Sequence, residues 1–175
     1  VFTDARQALS HNAIRKLVSA LAVPGVGVAS GLLVQDKDAD PSSGAGLYWT
    51  YEKSVRLLES RFRSIPGATG ALYAIQRSNF SPMSPSIILD DVELPMKIVR
   101  QGLRSVLIPE ATAHDIVATA EVESQRKIRT LTGNYQLMSL HPWLLSPLGN
   151  PVFFEFFSHK VLRLIVHYAL VIAVI

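Results

Sequence analysis

Along the chain, stretches with apolar residues at helical spacing alternate with short continuous apolar blocks, the arrangement of an α/β protein. Ala13, Ile14, Leu17, Val18 and Leu21 form a helical stripe that Val23-Pro24-Gly25 breaks. Val26 to Val34 then reads as a buried strand, with glycines where another backbone comes close. Gln35 to Gly46 is polar and reads as a surface loop. The spacing predicts a helix over Leu47 to Ser60, with Tyr48, Tyr51, Val55, Leu58 and Phe62 on a stripe expected to face the core, and Arg56 and Glu59 paired across its surface. A strand is expected through Ala71 to Arg77, followed by a Pro- and Ser-rich connection over Ser81 to Ser86. Ser86-Ile87-Ile88-Leu89 reads as the end of a buried strand that passes directly into Asp90, Asp91 and a helix closed by Gly102. Arg104 to Pro109 is a further short strand, and Glu121 to Asn134 a helix.

From Leu137 the pattern changes. Leu140, Trp143, Leu144, Leu145, Phe153, Phe154, Phe156 and Phe157 are too apolar for a polar surface, and Pro142, Pro147 and Pro151 break them too often for one helix. Ser158-His159-Lys160-Val161-Leu162-Arg163 leads into an apolar run ending at Ile175. Aromatic rings and cations ahead of such a run suit a membrane interface, and a truncated spanning helix is expected over 161–175, with a buried terminal helix as the alternative.

The composition narrows the classes of function. A net charge of +3 with scattered Lys and Arg gives no footprint for nucleic acid, which is set aside. The absence of cysteine excludes disulfide frameworks and thiolate metal sites.

Candidate chemistry sits at the ends of the apolar blocks, where a sheet holds side chains rigidly beside a crevice. Asp90 and Asp91 either present a carboxylate there or cap the helix that follows. Asp4, after Phe2-Thr3, is either a ligand for a hard cation bridging to a diphosphate or another cap. Gly67-Ala68-Thr69-Gly70 has little side-chain bulk and offers backbone N–H groups to a ligand, or is simply a tight turn. Arg126, Lys127 and Arg129 are either a solvated face or a patch for a phosphate or a diphosphate leaving group. His114 reads as a polar surface residue.

These segments, in order, resemble the second half of a membrane-bound family 2 glycosyltransferase of the cellulose, hyaluronan and poly-N-acetylglucosamine synthase group. Phe2-Thr3-Asp4-Ala5-Arg6 takes the place of the metal-binding DxD-type strand end. Tyr48-Trp49-x-Tyr51-Glu52 with Glu59-Ser60, and then Gly67 to Ile75, resemble the acceptor-side segment. Leu89-Asp90-Asp91 resembles the motif whose second acid is the general base, and Ser158 to Arg163 the approach to the membrane helices. Two departures stand out: Arg6 replaces the second acid of DxD, and Glu123-x-x-Arg126-Lys127 replaces QxxRW, which puts processivity in question.

The resemblance implies an α/β fold that is part of a GT-A (Rossmann-like nucleotide-diphospho-sugar transferase) domain over 1–136, with its nucleotide-binding half upstream. A membrane-interface segment over 137–160 and the start of a transmembrane helix at 161–175 are implied to follow. It implies a multi-pass protein of the plasma or inner membrane with a cytoplasmic catalytic domain. The implied partners are a nucleotide-diphospho-sugar donor, a glycan or lipid-linked acceptor and membrane lipid. Inverting transfer would use Asp91 as base and Asp90 to orient or cap. Asp4 would hold Mg²⁺ or Mn²⁺, Arg126, Lys127 and Arg129 would meet the donor diphosphate, and Gly67, Ala68, Thr69 and Gly70 the substrate. A catalytically inactive binding or assembly module of a polysaccharide export system and a soluble Asp-based phosphohydrolase are the competing classes.

Overall fold

A mixed five-stranded sheet organises the chain, in the order β1-β4-β3-β5-β2, in a computed structural model that describes residues 1–35, 44–115 and 120–166. β1 is Phe2–Thr3, β2 Ala8–Leu9, β3 Val26–Gln35, β4 Leu72–Ile75 and β5 Arg104–Asp115. β3 and β5 run parallel, and the other neighbours are antiparallel. β5 runs past the expected stop at Pro109 because the register slips there: Ser30 faces Leu107 while Leu32 faces Thr112. The slack holds a proline that has no N–H to give the ladder. Gly31 sits at the slip, where a Cβ would lie 2.6 Å from the Ala111 carbonyl oxygen.

α1 (Ala13–Leu21) covers one face of the sheet. Its buried seam is Ala13, Leu17 and Leu21, packed with Leu72, Ala74, Ala111 and Ala113. Ile14 and Val18, expected on the same stripe, are half exposed.

α3 (Asp90–Arg100) covers the other face and is apolar on two sides. Leu94 and Ile98 meet Val28 and Tyr73. Val92, Met96 and Val99 meet Leu137, Leu144, Val152 and Phe156. The segment expected at a membrane interface therefore divides, with Leu144, Val152 and Phe156 in this core and Leu148 and Phe154 exposed. Pro95 lies inside α3 and removes the helical N–H that would bond the Asp91 carbonyl. The Ala68 N–H donates to that carbonyl instead, at 2.7 Å, stitching the small-residue loop to the start of α3.

Ser86-Ile87-Ile88-Leu89 is not a strand, contrary to its apolar, β-branched pattern. Side chains of α4 (Ala120–Leu140) take its backbone groups in place of a sheet neighbour. The Ile88 N–H donates to Gln136 Oε1 at 3.0 Å, and Gln136 Nε2 donates to the Ser86 carbonyl at 2.9 Å. Nor are Asp90 and Asp91 caps: the N-cap is Leu89, without a side-chain bond, and both acids lie in the first turn.

α2 (Gly44–Phe62) is reversed relative to its pattern. Tyr51, Leu58 and Phe62 are 65%, 64% and 80% exposed, while Glu59 and Ser60 are buried. Glu52, Arg56 and Glu59, at i, i+4 and i+7, form the inward face.

After a 3₁₀ turn at Pro142–Leu145, α5 (Phe153–Phe156) runs on through a π segment, Phe157–Val161, into helical residues 162–166. Among the described residues no helix is long and apolar enough to cross a membrane. Most of the expected span, 167–175, lies outside the described residues.

Candidate active site

A cleft of about 360 Å³ opens where the tips of β1 and β5, the loop before β4, the start of α3 and one side of α4 converge. Asp4, Asp90 and Asp91 line it together with Arg126, Arg129 and Thr130. Acids 87 positions apart thus share one cavity, because β1 pairs with β4 and the Pro95 gap ties α3 to the loop ahead of β4.

Asp91 is seated against Gly70. A Cβ at residue 70 would lie 3.0 Å from Asp91 Oδ2, so the absent side chain is the space the carboxylate occupies. Behind it runs a buried polar chain. The Thr69 N–H donates to Ser30 Oγ at 2.8 Å, and Arg56 Nη1 donates to Thr69 Oγ1 at 3.1 Å. Burial raises the Asp91 carboxyl above its ordinary range; Lys160 opposes this, Asp90 adds to it and Arg56 opposes it. A carboxylate shifted upward with access to a cleft is suited to accepting a proton.

The sequence-derived candidates divide between the cleft and its surroundings. Thr69 and Gly70 line the cleft. Gly67, with φ +123°, and Ala68 lie beneath it as the turn that holds Thr69 and Gly70 in place. Arg126 and Arg129 line the cleft, and Arg129 Nη2 donates to the Ile88 carbonyl at 3.3 Å. Lys127 is exposed on another side of α4, as the one-residue offset requires. His114 is exposed and bonds Thr112 Oγ1 at 3.2 Å.

Asp115, at the end of β5, is a member of the site that the sequence reading missed. Its Oδ2 lies 3.5 Å from Arg6 Nη2 and 3.6 Å from Arg126 Nη1. Two guanidinium groups on one carboxylate leave one positive charge in excess, beside the buried side of Asp115. Arg6, which departs from the DxD pattern, thereby adds cationic character to the cleft.

Among the described residues no three His, Asp or Glu side chains converge as a metal cage. Asp4 is exposed at the rim, with Gln7 Nε2 3.5 Å from its Oδ2. One accessible carboxylate fits the binding mode in which Mg²⁺ or Mn²⁺ keeps waters and substrate phosphate oxygens as its other ligands.

A second charged group lies behind the cleft, where the inward face of α2 meets the π segment. His159 Nε2 is 2.6 Å from Glu52 Oε1, and His159 Nδ1 is 3.0 Å from Glu59 Oε1. Arg163 also donates to Glu52. Burial alone would raise Glu52, but the bonds and charges of His159 and Arg163 bring it down to about 2. Burial would lower His159, and its two glutamates overcome that and raise it. Burial lowers the Lys160 ammonium, with Asp91 the first charge opposing it. The i, i+4, i+7 spacing of Glu52, Arg56 and Glu59 was the available signal for this face. The expected surface pair Arg56–Glu59 does not form: Arg56 turns to Thr69 and Glu59 to His159.

No family model and no curated protein matches the chain significantly. Among solved structures, the fold is similar to PcManGT, a mannosyltransferase from Pyrobaculum calidifontis in complex with GDP-Man and Mn²⁺. The TM-score is 0.71 over 93% of this chain and 44% of that one, at 21% identity. This chain thus spans less than half the length of that structure. The likeness establishes the fold alone, a mixed α/β architecture similar to that of this mannosyltransferase.

Proposed function

We propose that the chain belongs to an inverting glycosyltransferase that moves a sugar from a nucleotide-diphospho-sugar donor to a glycan or lipid-linked acceptor. The observation that carries this reading is the convergence of Asp4, Asp91 and Arg126 on one cleft. A mannosyltransferase of similar fold that holds GDP-Man and Mn²⁺ supports a donor of this class and a divalent cation. The family 2 assignment rests on the ordered motifs of the sequence.

In this reading Asp91 takes the proton of the acceptor hydroxyl as the hydroxyl attacks the anomeric carbon. Its raised affinity for a proton and its seat against Gly70 suit that role. Asp90 adds negative charge next to it and stays an orienting group. Arg126, with Arg129, meets the charge that develops on the departing diphosphate. Asp4 would hold Mg²⁺ or Mn²⁺, which supplies further charge neutralisation to the same leaving group. Thr69 and Gly70 form the wall against which the acceptor rests.

The exposed apolar face of α2, with Phe154, Leu162 and Ile165 of the last helix, is assigned to membrane lipid. Aromatic and aliphatic side chains so exposed need a cover, and Arg61 in the last turn of α2 suits anionic headgroups.

A second reading, an inactive binding module, draws on Asp115, which already occupies Arg6 and Arg126. One experiment separates the two. The intact protein is titrated with nucleotide-diphospho-sugars in Mn²⁺ and again in chelator, and nucleoside diphosphate release is followed on adding acceptor membranes. Metal-dependent binding followed by release is expected. Binding without release identifies the module, and no binding in either condition rejects both.

A further inference from the structure

We infer that His159 is a positioning residue: as an imidazolium clamped between Glu52 and Glu59, it holds the π segment of the last helix so that Lys160 stays within electrostatic reach of Asp91. This rests on Asp91 being the base of the proposed transfer.

The clamp follows from donor and acceptor counting. Both ring nitrogens of His159 face carboxylate oxygens, at 2.6 and 3.0 Å, and ionised carboxylates only accept. A neutral imidazole has one N–H, so one of these contacts would set lone pair against lone pair. With both nitrogens protonated, each contact becomes a charge-assisted hydrogen bond. The His159 side chain is 7% exposed, so water is a poor substitute for either partner.

Of the groups around it, the two glutamates favour the cation, while burial and the neighbouring cations oppose it. α2 contributes Glu52, Glu59 and Arg56, and the last helix contributes Arg163 and Lys160. α3 contributes Asp91 with Asp90 beside it. α4 faces the same region with Thr130 and Asn134, which do not titrate. Both clamped glutamates come from the helix that also places Arg56 on Thr69 at the cleft.

The connection to the base is the next residue. π turns are rare and occur mostly as local insertions at functional sites. Here the turn spans Phe157–Val161 and carries His159 and Lys160 together. Lys160 lines a cavity of about 550 Å³ that shares the residue Thr130 with the lining of the Asp91 cleft. Lys160 makes no hydrogen bond or ion pair with a described residue; held there as an ammonium, against the burial that lowers it, it favours the carboxylate form the base needs.

The test measures the imidazole and the reaction separately in the intact protein. ¹⁵N spectra of the ring at pH 7.5 are expected to show both nitrogens protonated, and a singly protonated ring overturns the clamp. His159→Gln is expected to lower kcat by about ten- to a hundredfold, to leave donor KM within about threefold, and to move the acid limb of the pH–rate profile upward. Unchanged kcat with an unmoved limb overturns the link to Asp91. Should His159→Gln not fold, Glu59→Gln keeps an acceptor for the ring but removes one charge. It is expected to move the alkaline limb to lower pH, and an unmoved limb counts against the proposal. Asp91→Asn reports on the underlying reading independently: if it turns over like the wild type, Asp91 is not the base, whatever the state of His159.

Discussion

Gly70 is where one added carbon tests the seat of Asp91. A Cβ would stand 3.0 Å from Asp91 Oδ2, so Gly70→Ala must push the carboxylate off its wall. The variant is expected to lose a few fold to about tenfold in kcat while its melting temperature changes little, since the carboxylate must give way by a few tenths of an ångström and catalysis is sensitive to sub-ångström misplacement of a reacting group. Unchanged kcat would mean that the carboxylate position does not matter to the reaction. At this scale the sequence was informative where a residue type is tied to a local pattern: Asp4 after a strand, Asp91 at a helix start, and Arg126 and Arg129 at i and i+3. It was silent on Asp115 and His159, because their meaning comes from partners far along the chain. Glu59 and His159 are 100 positions apart, and nothing local to either predicts the bond between them.

α2 shows how periodicity finds an element without orienting it. The stripe of Tyr48, Tyr51, Leu58 and Phe62 predicted a helix, and the helix is there. Its assignment to the core failed because Glu52, Arg56 and Glu59 on the opposite face find partners inside, which offsets the burial of charge. If lipid covers the outer face, replacing Tyr51, Leu58 and Phe62 by Ser should reduce co-flotation with anionic vesicles severalfold and leave the melting temperature within about 2 °C, because exposed side chains contribute little to folding. Unaltered flotation would remove lipid as the occupant. Ile87-Ile88-Leu89 taught the converse lesson. A short apolar run is compatible with a strand, but Gln136 of α4 had already claimed its backbone. Pro95, which looks like a flaw in α3, joins the acid-bearing turn to the loop before β4.

At the scale of the whole molecule, the layers were legible and the closure was not. The order of β3, α2, β4, α3 and β5 follows the sequence pattern closely, whereas the packing of Leu144, Val152 and Phe156 against α3 does not show in a segment broken by three prolines. Phe156 is fully buried there, and Phe156→Ala is expected to cost about 3–5 kcal/mol in chemical denaturation. The pH dependence of folding also belongs to the whole molecule. Despite burial, which opposes it, bonds and charges from His159 and Arg163 hold Glu52 at about 2, below its ordinary 4.5, and Lys97 and His141 hold Glu93 low. Their stabilisation is therefore present above pH 4.5 and lost as pH falls through the folded values. His159 is raised above 6.5, so its contribution is complete below that value and is lost as pH climbs through the folded one. Thermal melts across pH should show a maximum between these limits, and His159→Gln should flatten the alkaline side and weaken the acid side as well, because it removes the bond and charge that hold Glu52 low. A profile flat from acid to alkali would contradict the buried pairs.

The most direct test of the account pairs two numbers on one variant, the kcat and the donor Kd of Asp91→Asn in the intact protein with Mn²⁺. The account predicts a loss of about a hundredfold or more in kcat with donor affinity held within about threefold, the signature of a missing base in an intact donor site. Turnover close to wild type, or donor binding lost together with activity, would contradict it.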